Sequence, residues 1–160
     1  MFPAVPLVRL SEIASVLGLE LTLGLHPLGD PIRDRGHQAL IARFVALVAG
    51  AYRIAREVPL PTPGDLRSWD VMLRLGELLI GVEAETRVRD IQALVRRIRA
   101  RERDGGVGEI LLVLADTAYN RRVVSELREA LGERFKTSPR ILLAALRAGR
   151  SLPGSGVILV

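Results

Sequence analysis

The chain has 160 residues, the length of one ordinary domain, and 49% of them are hydrophobic. It contains no cysteine, which excludes disulfides, thiolate zinc sites and cysteine nucleophiles. The net charge is +5, and Lys136 is the only lysine, so almost all of the basic residues are arginines. This surplus fits contact with nucleic-acid phosphates, although an arginine bias is also typical of GC-rich genomes.

No apolar run approaches the roughly 20 residues of a membrane span, and 1–6 lacks the basic leader of a signal peptide. Together with the lack of cysteine, this favours a cytoplasmic protein without membrane contact. We expect a single domain over 1–160, with an N-terminal helix and strand extension at 1–30 and a core at 31–160.

Apolar periodicity and turn residues predict the secondary structure. The predicted elements are a helix at 10–18, a strand at 19–25, a helix at 31–49, strands at 52–60, 66–75 and 78–86, a helix at 87–104, a strand at 109–115, helices at 120–131 and 139–148, and a strand at 156–160. Gly76-Glu77 suits a two-residue hairpin loop, and the helix at 87–104 suits a crossover into a parallel strand. The expected fold is α/β, with a mixed central sheet, an antiparallel hairpin and helices on both faces.

The predicted hairpin brings three acidic residues together. A Gly76-Glu77 loop sets Asp70 opposite Glu83, and Glu85 points to the same face. Opposed side chains lie roughly 4.5–5.5 Å apart at Cβ, so the carboxylates repel one another. Such a cluster faces open water, shares a proton or holds a cation. Surface acids on an exposed sheet face are the simpler interpretation, and a metal or substrate site is the functional one.

The two faces of the hairpin are predicted to differ. Gly81 lies on the acidic face and leaves room for a ligand to approach. The other face is expected to be wholly apolar and to pack on helices; it carries Trp69, Val71, Leu73, Leu75, Leu78, Ile80, Val82 and Ala84.

The order Trp69-Asp70-Val71-Met72-Leu73, a turn, and then Leu79-Ile80-Gly81-Val82-Glu83-Ala84-Glu85-Thr86 resembles the signature of PD-(D/E)XK nucleases. The resemblance covers roughly 52–131 and implies a restriction-endonuclease-like fold. It also implies a metal-dependent nuclease that acts on nucleic-acid phosphodiesters. Asp70 and Glu83 would then bind Mg²⁺ or Mn²⁺, and Asp70, Glu83 and Glu85 would be catalytic.

Glu85 stands where that superfamily usually has lysine, although some members carry glutamate there and still cleave DNA. The missing positive charge would come from Arg67, Arg87 or a second metal. The alternative is a catalytically inactive nuclease-like module that serves DNA binding, ligand sensing or dimerisation in transcription regulation.

The chain is also similar to a domain found C-terminal to the helix-turn-helix of some bacterial XRE-type regulators. The matching pattern is Glu57-Val-Pro-Leu, Gly64-Asp-Leu-Arg, Trp69-Asp70 and Val82-Glu-Ala-Glu-Thr-Arg87. A third interpretation is an assembly domain, so a homodimer is among the expected partners.

The segment 87–104 carries seven arginines against three acids, which places +4 on one predicted helix. These arginines either contact phosphates or form ion pairs on a solvated helix, for example with Glu102. The residues predicted to bind nucleic acid are Arg67, Arg87, Arg96, Arg97, Arg99 and Arg101. No aromatic residues interleave with them, so base stacking is not predicted.

Two further acids are accessory candidates. Glu57 either completes the acidic cluster or lies exposed at a sheet edge. Asp116 follows the buried strand, where α/β folds place functional groups, or caps the next helix. His26 and His37 lack a third partner in the sequence, so a histidine-based metal site is not expected.

Overall fold

The computed structural model describes residues 6–19 and 31–160, and the chain divides into two compact units, Met1–Asp30 and Pro31–Val160. In the first unit, helix α1 spans Leu7–Val16. The strand predicted at 19–25 lies, apart from its first residue, outside the described ranges. Within those ranges, no helix has the length and apolar character to cross a membrane.

The second unit contains every strand and helix predicted for it. Its elements are α2 (Pro31–Ala46), β1 (Arg53–Pro59), β2 (Ser68–Leu75), β3 (Leu78–Glu85), α3 (Ile91–Asp104), β4 (Glu109–Leu114), α4 (Ala118–Leu131), α5 (Pro139–Arg147) and β5 (Gly156–Leu159), with a short 3-10 helix at Glu133–Phe135. The largest shift in a starting residue is at α3, which was predicted from Arg87. It starts later because the Asp90 side chain caps it, accepting a hydrogen bond of 2.9 Å from the Ala93 amide.

The five strands form one mixed sheet in the order β1-β2-β3-β4-β5. β1, β2 and β3 pair antiparallel, and β3, β4 and β5 pair parallel, with α3 as the crossover from β3 to β4. Helices α2 and α5 pack on one face, and α3 and α4 pack on the other. The predicted fold class is therefore confirmed.

The predicted register of the hairpin is also confirmed. β2 and β3 pair from Leu75 with Leu78 to Val71 with Val82, and the loop begins at Gly76 with φ +58°. A left-handed φ is easy for glycine and is needed at the first position of such a tight loop. This register carries Asp70 and Glu83 to the same end of the hairpin.

The prediction for Trp69 is wrong. Its side chain packs with Ile98 and Leu127 on the α3–α4 face, whereas Val71 packs on the α2–α5 face. The strand alternation is therefore interrupted between them. The interruption coincides with Glu57, which has φ +50° and lies between the paired positions Arg56–Val71 and Val58–Trp69 without a pair of its own in the β1–β2 register.

The indole also fills the space that Gly81 was predicted to leave for a ligand. A Cβ atom at Gly81 would lie 2.6 Å from the Trp69 ring, and one at Gly105 would lie 2.5 Å from it. The indole Nε1 donates a 3.3 Å hydrogen bond to the Gly105 carbonyl. The two glycines thus serve to seat a core side chain.

Candidate carboxylate–arginine site

Asp70 lies near the start of β2 and is fixed by two neighbours. Its Oδ2 accepts a 2.7 Å hydrogen bond from the Ala84 amide, and its Oδ1 lies 3.3 Å from His37 Nε2. The first contact ties Asp70 to β3 between Glu83 and Glu85. The second brings α2 to the same site.

Glu83 is the most buried acid of the site, with 7% of its side chain exposed. Burial is the main reason that its pKa is raised to about 7; the negative charge of Asp70 raises it further, and Arg101 and Arg97 oppose the rise. Glu83 Oε2 lies 3.1 Å from Arg101 Nε, yet neither atom makes a hydrogen bond. The pair is close enough to interact as ions but is not aligned, so burial prevails over the attraction.

The positive charges at this site come from α3. Arg97 and Arg101 are four residues apart and so share one helix face. Arg97 Nε lies 3.6 Å from Glu83 Oε1, and Arg97 also donates a hydrogen bond to Glu85. Arg101 is buried beside Trp69 and donates to the Ser68 carbonyl at 3.1 Å. The cation near Glu85 is therefore Arg97.

The two arginines that sequence reasoning offered for this charge lie elsewhere. Arg67 forms ion pairs with Asp65 at 2.5 Å and with Asp104 at 2.7 Å. Arg87 stacks on Tyr119, with the guanidinium carbon 4.4 Å from the ring centroid. Both expectations are thus corrected in favour of Arg97.

Sequence reasoning missed His37. Its pKa is raised, chiefly by its hydrogen bond with Asp70, and burial partly offsets this. The signal was available, because His37 precedes buried Leu40 by three residues and buried Ile41 by four, which places it on the inward face of α2.

The arrangement does not fit a divalent metal as it stands. Across 6–19 and 31–160, no group of three or more His, Cys, Asp or Glu side chains is placed to hold a metal ion. Each acid already has a partner: His37 for Asp70, Arg101 for Glu83 and Arg97 for Glu85. The metal site therefore stays a prediction, and these three pairings are the contacts that a cation would have to displace.

A cavity of about 450 Å³ adjoins this site at the first turn of α3. Its lining includes Glu85, Arg87, Arg89, Leu94 and Arg97, together with His37. The carboxylate site and the cavity therefore share His37, Glu85 and Arg97.

Two arginines predicted to bind nucleic acid, Arg96 and Arg99, remain to be placed. Arg96 is exposed on α3, and Arg99 pairs with Glu102 at 2.8 Å and donates to the Leu131 carbonyl. Of the two alternatives predicted for the arginines of this helix, phosphate contact or an ion pair with Glu102, Arg99 shows the ion pair.

Neither accessory acid joins the three carboxylates through a described contact. Glu57 is exposed on the edge strand β1, with β2 between it and Glu83. Asp116 accepts two hydrogen bonds from Arg121, at 2.5 and 2.6 Å, which lower its pKa. Asp116 does not cap the next helix as predicted: the cap of α4 is the following residue, Thr117, whose side-chain oxygen accepts a 3.1 Å hydrogen bond from the Asn120 amide.

No protein-family model matches the sequence, and no curated protein matches it. Among solved structures, the chain is similar to one titled "Structure of EndoMS-dsDNA2 complex", with 18% sequence identity and a TM-score of 0.34. The similarity covers 66% of this chain and 46% of the other.

Proposed function

We propose that the chain is a nuclease-like domain that binds the phosphodiester backbone of nucleic acid and does not cleave it. The observation that carries the proposal is the pairing of Glu83 with Arg101 and of Glu85 with Arg97. Arginines hold the position where a cleaving site would need a metal. Arg87 and Arg89, which line the adjoining cavity, and Arg96 on α3 are all exposed, and we assign the phosphate contacts to them.

Salt-dependent DNA binding tests the proposal. Binding of labelled single- and double-stranded DNA should weaken linearly on a log–log plot against salt concentration. Replacing Arg87, Arg89 and Arg96 by Gln should lower the affinity and flatten that slope. The matched control replaces the exposed Arg74, Arg140 and Arg147, which removes the same charge. Equal weakening by both triple variants, or no binding by the wild type, would overturn the proposal.

The second candidate is the metal-dependent nuclease predicted from the sequence. It is favoured by the convergence of Asp70, Glu83 and Glu85, and by the raised pKa of Glu83, because perturbed pKa values concentrate at functional sites. On this candidate, Asp70 and Glu83 would bind Mg²⁺ or Mn²⁺ once His37 moved away from Asp70 and Arg97 and Arg101 moved away from Glu83.

Nicking of plasmid and single-stranded DNA in Mn²⁺ separates the two candidates. Cleavage by the wild type that Asp70→Asn abolishes would establish the nuclease and overturn binding without cleavage. Calorimetry with Mn²⁺ adds an independent readout, since Arg97→Ala should tighten metal binding by freeing two carboxylates. Absence of both nicking and Mn²⁺ heat in every variant would exclude the metal site.

Two further sequence predictions, a homodimer and a cytoplasmic regulatory setting, stay predictions. Sedimentation at low protein concentration measures the first. A monomer at every concentration would exclude it.

A further inference from the structure

Two of the three arginines that line the cavity beside α3 have no acidic partner. Arg97 is paired with Glu85, and the Asp90 side chain is engaged in capping α3. Within the described part of the chain, Arg87 and Arg89 form no ion pair, and both are exposed. The cavity therefore presents two guanidinium groups that are free of ion pairs with its acids.

Arg87 is held in place on both sides. Asn120, which is fully buried, donates to the Thr86 carbonyl at 3.0 Å and accepts from the Val88 amide at 3.2 Å. The residues before and after Arg87 are thus fixed by one amide side chain. The Arg87 guanidinium carbon lies 4.4 Å from the centroid of the Tyr119 ring, a contact that does not use its N–H groups for hydrogen bonds.

Apolar side chains line the cavity beside its arginines, and His37, Glu85 and Asp90 also belong to the lining. Val88 and Leu94 are buried and form part of the lining with Ala93. A volume of about 450 Å³ lies in the range of small-ligand sites and does not admit a helical duplex. A ligand with a compact anionic group and a less polar body matches this lining.

We propose that this cavity binds one nucleotide through its phosphomonoester, with Arg87 and Arg89 as the phosphate contacts. Because the cavity admits a single unit, the nucleotide is either free or the terminal nucleotide of a strand. Binding of the terminal nucleotide of a strand rests on the proposed nucleic-acid binding and restricts that binding to phosphorylated ends. Binding of a free nucleotide does not depend on the proposed nucleic-acid binding.

The test compares phosphorylated and unphosphorylated ligands of the same sequence. The probes are a labelled single-stranded oligonucleotide with a phosphate at the 5′ end, at the 3′ end or at neither, and dTMP against thymidine. We expect about tenfold tighter binding of one phosphorylated form, in line with a charge-assisted bidentate contact. The double variant Arg87→Gln/Arg89→Gln should lose that preference.

The control variant Arg74→Gln/Arg140→Gln removes the same charge from other exposed positions and should keep the preference. Unchanged thermal melting of both variants verifies that they fold. Oligonucleotide binding without a phosphate preference, or a preference that survives in Arg87→Gln/Arg89→Gln, would overturn the nucleotide site and leave the proposed function standing. Binding of dTMP without any binding of longer DNA would support the site and overturn the proposed function. No binding of any probe would overturn both.

Discussion

Two groups of acids and arginines in this domain use the same residue types with opposite results. The outer group is Asp65, Arg67 and Asp104; the inner group is Glu83 with Arg97 and Arg101. In the outer group, the Arg67 Nε lies 3.0 Å from both Asp65 oxygens and a second nitrogen reaches Asp104 at 2.7 Å. In the inner group, the ions are close but make no hydrogen bond at Glu83 Oε2.

The two carboxyl groups respond in opposite directions. Hydrogen bonds from Arg67 lower the pKa of Asp65 to about 2, whereas burial raises the pKa of Glu83 to about 7. The outer group is therefore a permanent ion pair that ties the β1–β2 connection to the end of α3. The inner group contains a carboxyl that changes charge near neutral pH, which is typical of a functional site.

The largest effect on stability is expected when the inner group loses Arg101. Arg101→Met should destabilise the protein at pH 8 by about 3–5 kcal/mol, because it leaves Glu83 charged and buried without that partner. The loss should shrink at pH 5, where Glu83 binds a proton. Urea denaturation at the two pH values measures both. Arg67→Met is the matched change in the outer group, and its loss should be smaller because Arg67 and Asp104 are partly exposed, with 35% and 26% of their side chains accessible. Equal losses would mean that the two groups do not differ.

Replacing the acid of each group by its amide should change how the free energy of unfolding depends on pH, and in opposite directions for the two groups. The pKa of Glu83 is raised from 4.5 to about 7, so between these values the folded state binds more protons than the unfolded state and stability falls as pH rises. Glu83→Gln should remove that fall. The stability of the variant relative to the wild type should therefore grow by about 3 kcal/mol between pH 4.5 and 8.

Asp65→Asn should show the opposite slope. The pKa of Asp65 is lowered, so its contribution is present above pH 3.8 and is lost as pH falls toward 2. The wild-type advantage over this variant should thus vanish in acid and be constant from pH 5 to 8. Denaturation curves over pH 2–8 measure both slopes, and slopes of the same sign would contradict the comparison.

The next effect concerns the loop that joins the inner group to the cavity. Asn120→Ala should destabilise by roughly 1–3 kcal/mol, because the Val88 amide and the Thr86 and Ala115 carbonyls lose a buried partner. Amide exchange at Val88 should accelerate more than at Val82. Equal acceleration at both amides would indicate global unfolding and no local role.

The pattern of apolar residues was sufficient to predict the strands, the hairpin loop and its register. These features depend on local alternation and on glycine at φ > 0, both of which are visible in a sequence. The position of Trp69 was not predictable, because it depends on a distortion opposite Glu57 and on space above Gly81 and Gly105, which lie far apart in the chain.

The composition of the carboxylate–arginine site, which comprises the inner group with Asp70, Glu85 and His37, was predicted only in part. Asp70 and Glu83 follow from one hairpin, so their proximity could be derived. The contacts of His37 and Arg101 depend on how α2 and α3 rotate over the sheet, and each helix offers several polar residues of similar spacing. The raised pKa of Glu83 was not predictable either, since it depends on the burial that these helices provide.

The smallest effect tests whether Glu57 belongs to the inner group. Its φ of +50° is strained for a residue with a side chain, so Glu57→Gly should stabilise by about 1 kcal/mol, the relieved strain being partly offset by glycine's entropy. Glu57→Ala keeps the strain and removes the carboxylate, and it should leave stability unchanged. Because Glu57 is exposed on β1, neither change should move the pKa of Glu83, which the pH dependence of denaturation reports. A lower pKa in Glu57→Ala would mean that this carboxylate does repel Glu83 and that the inner group extends across β2 to the edge strand.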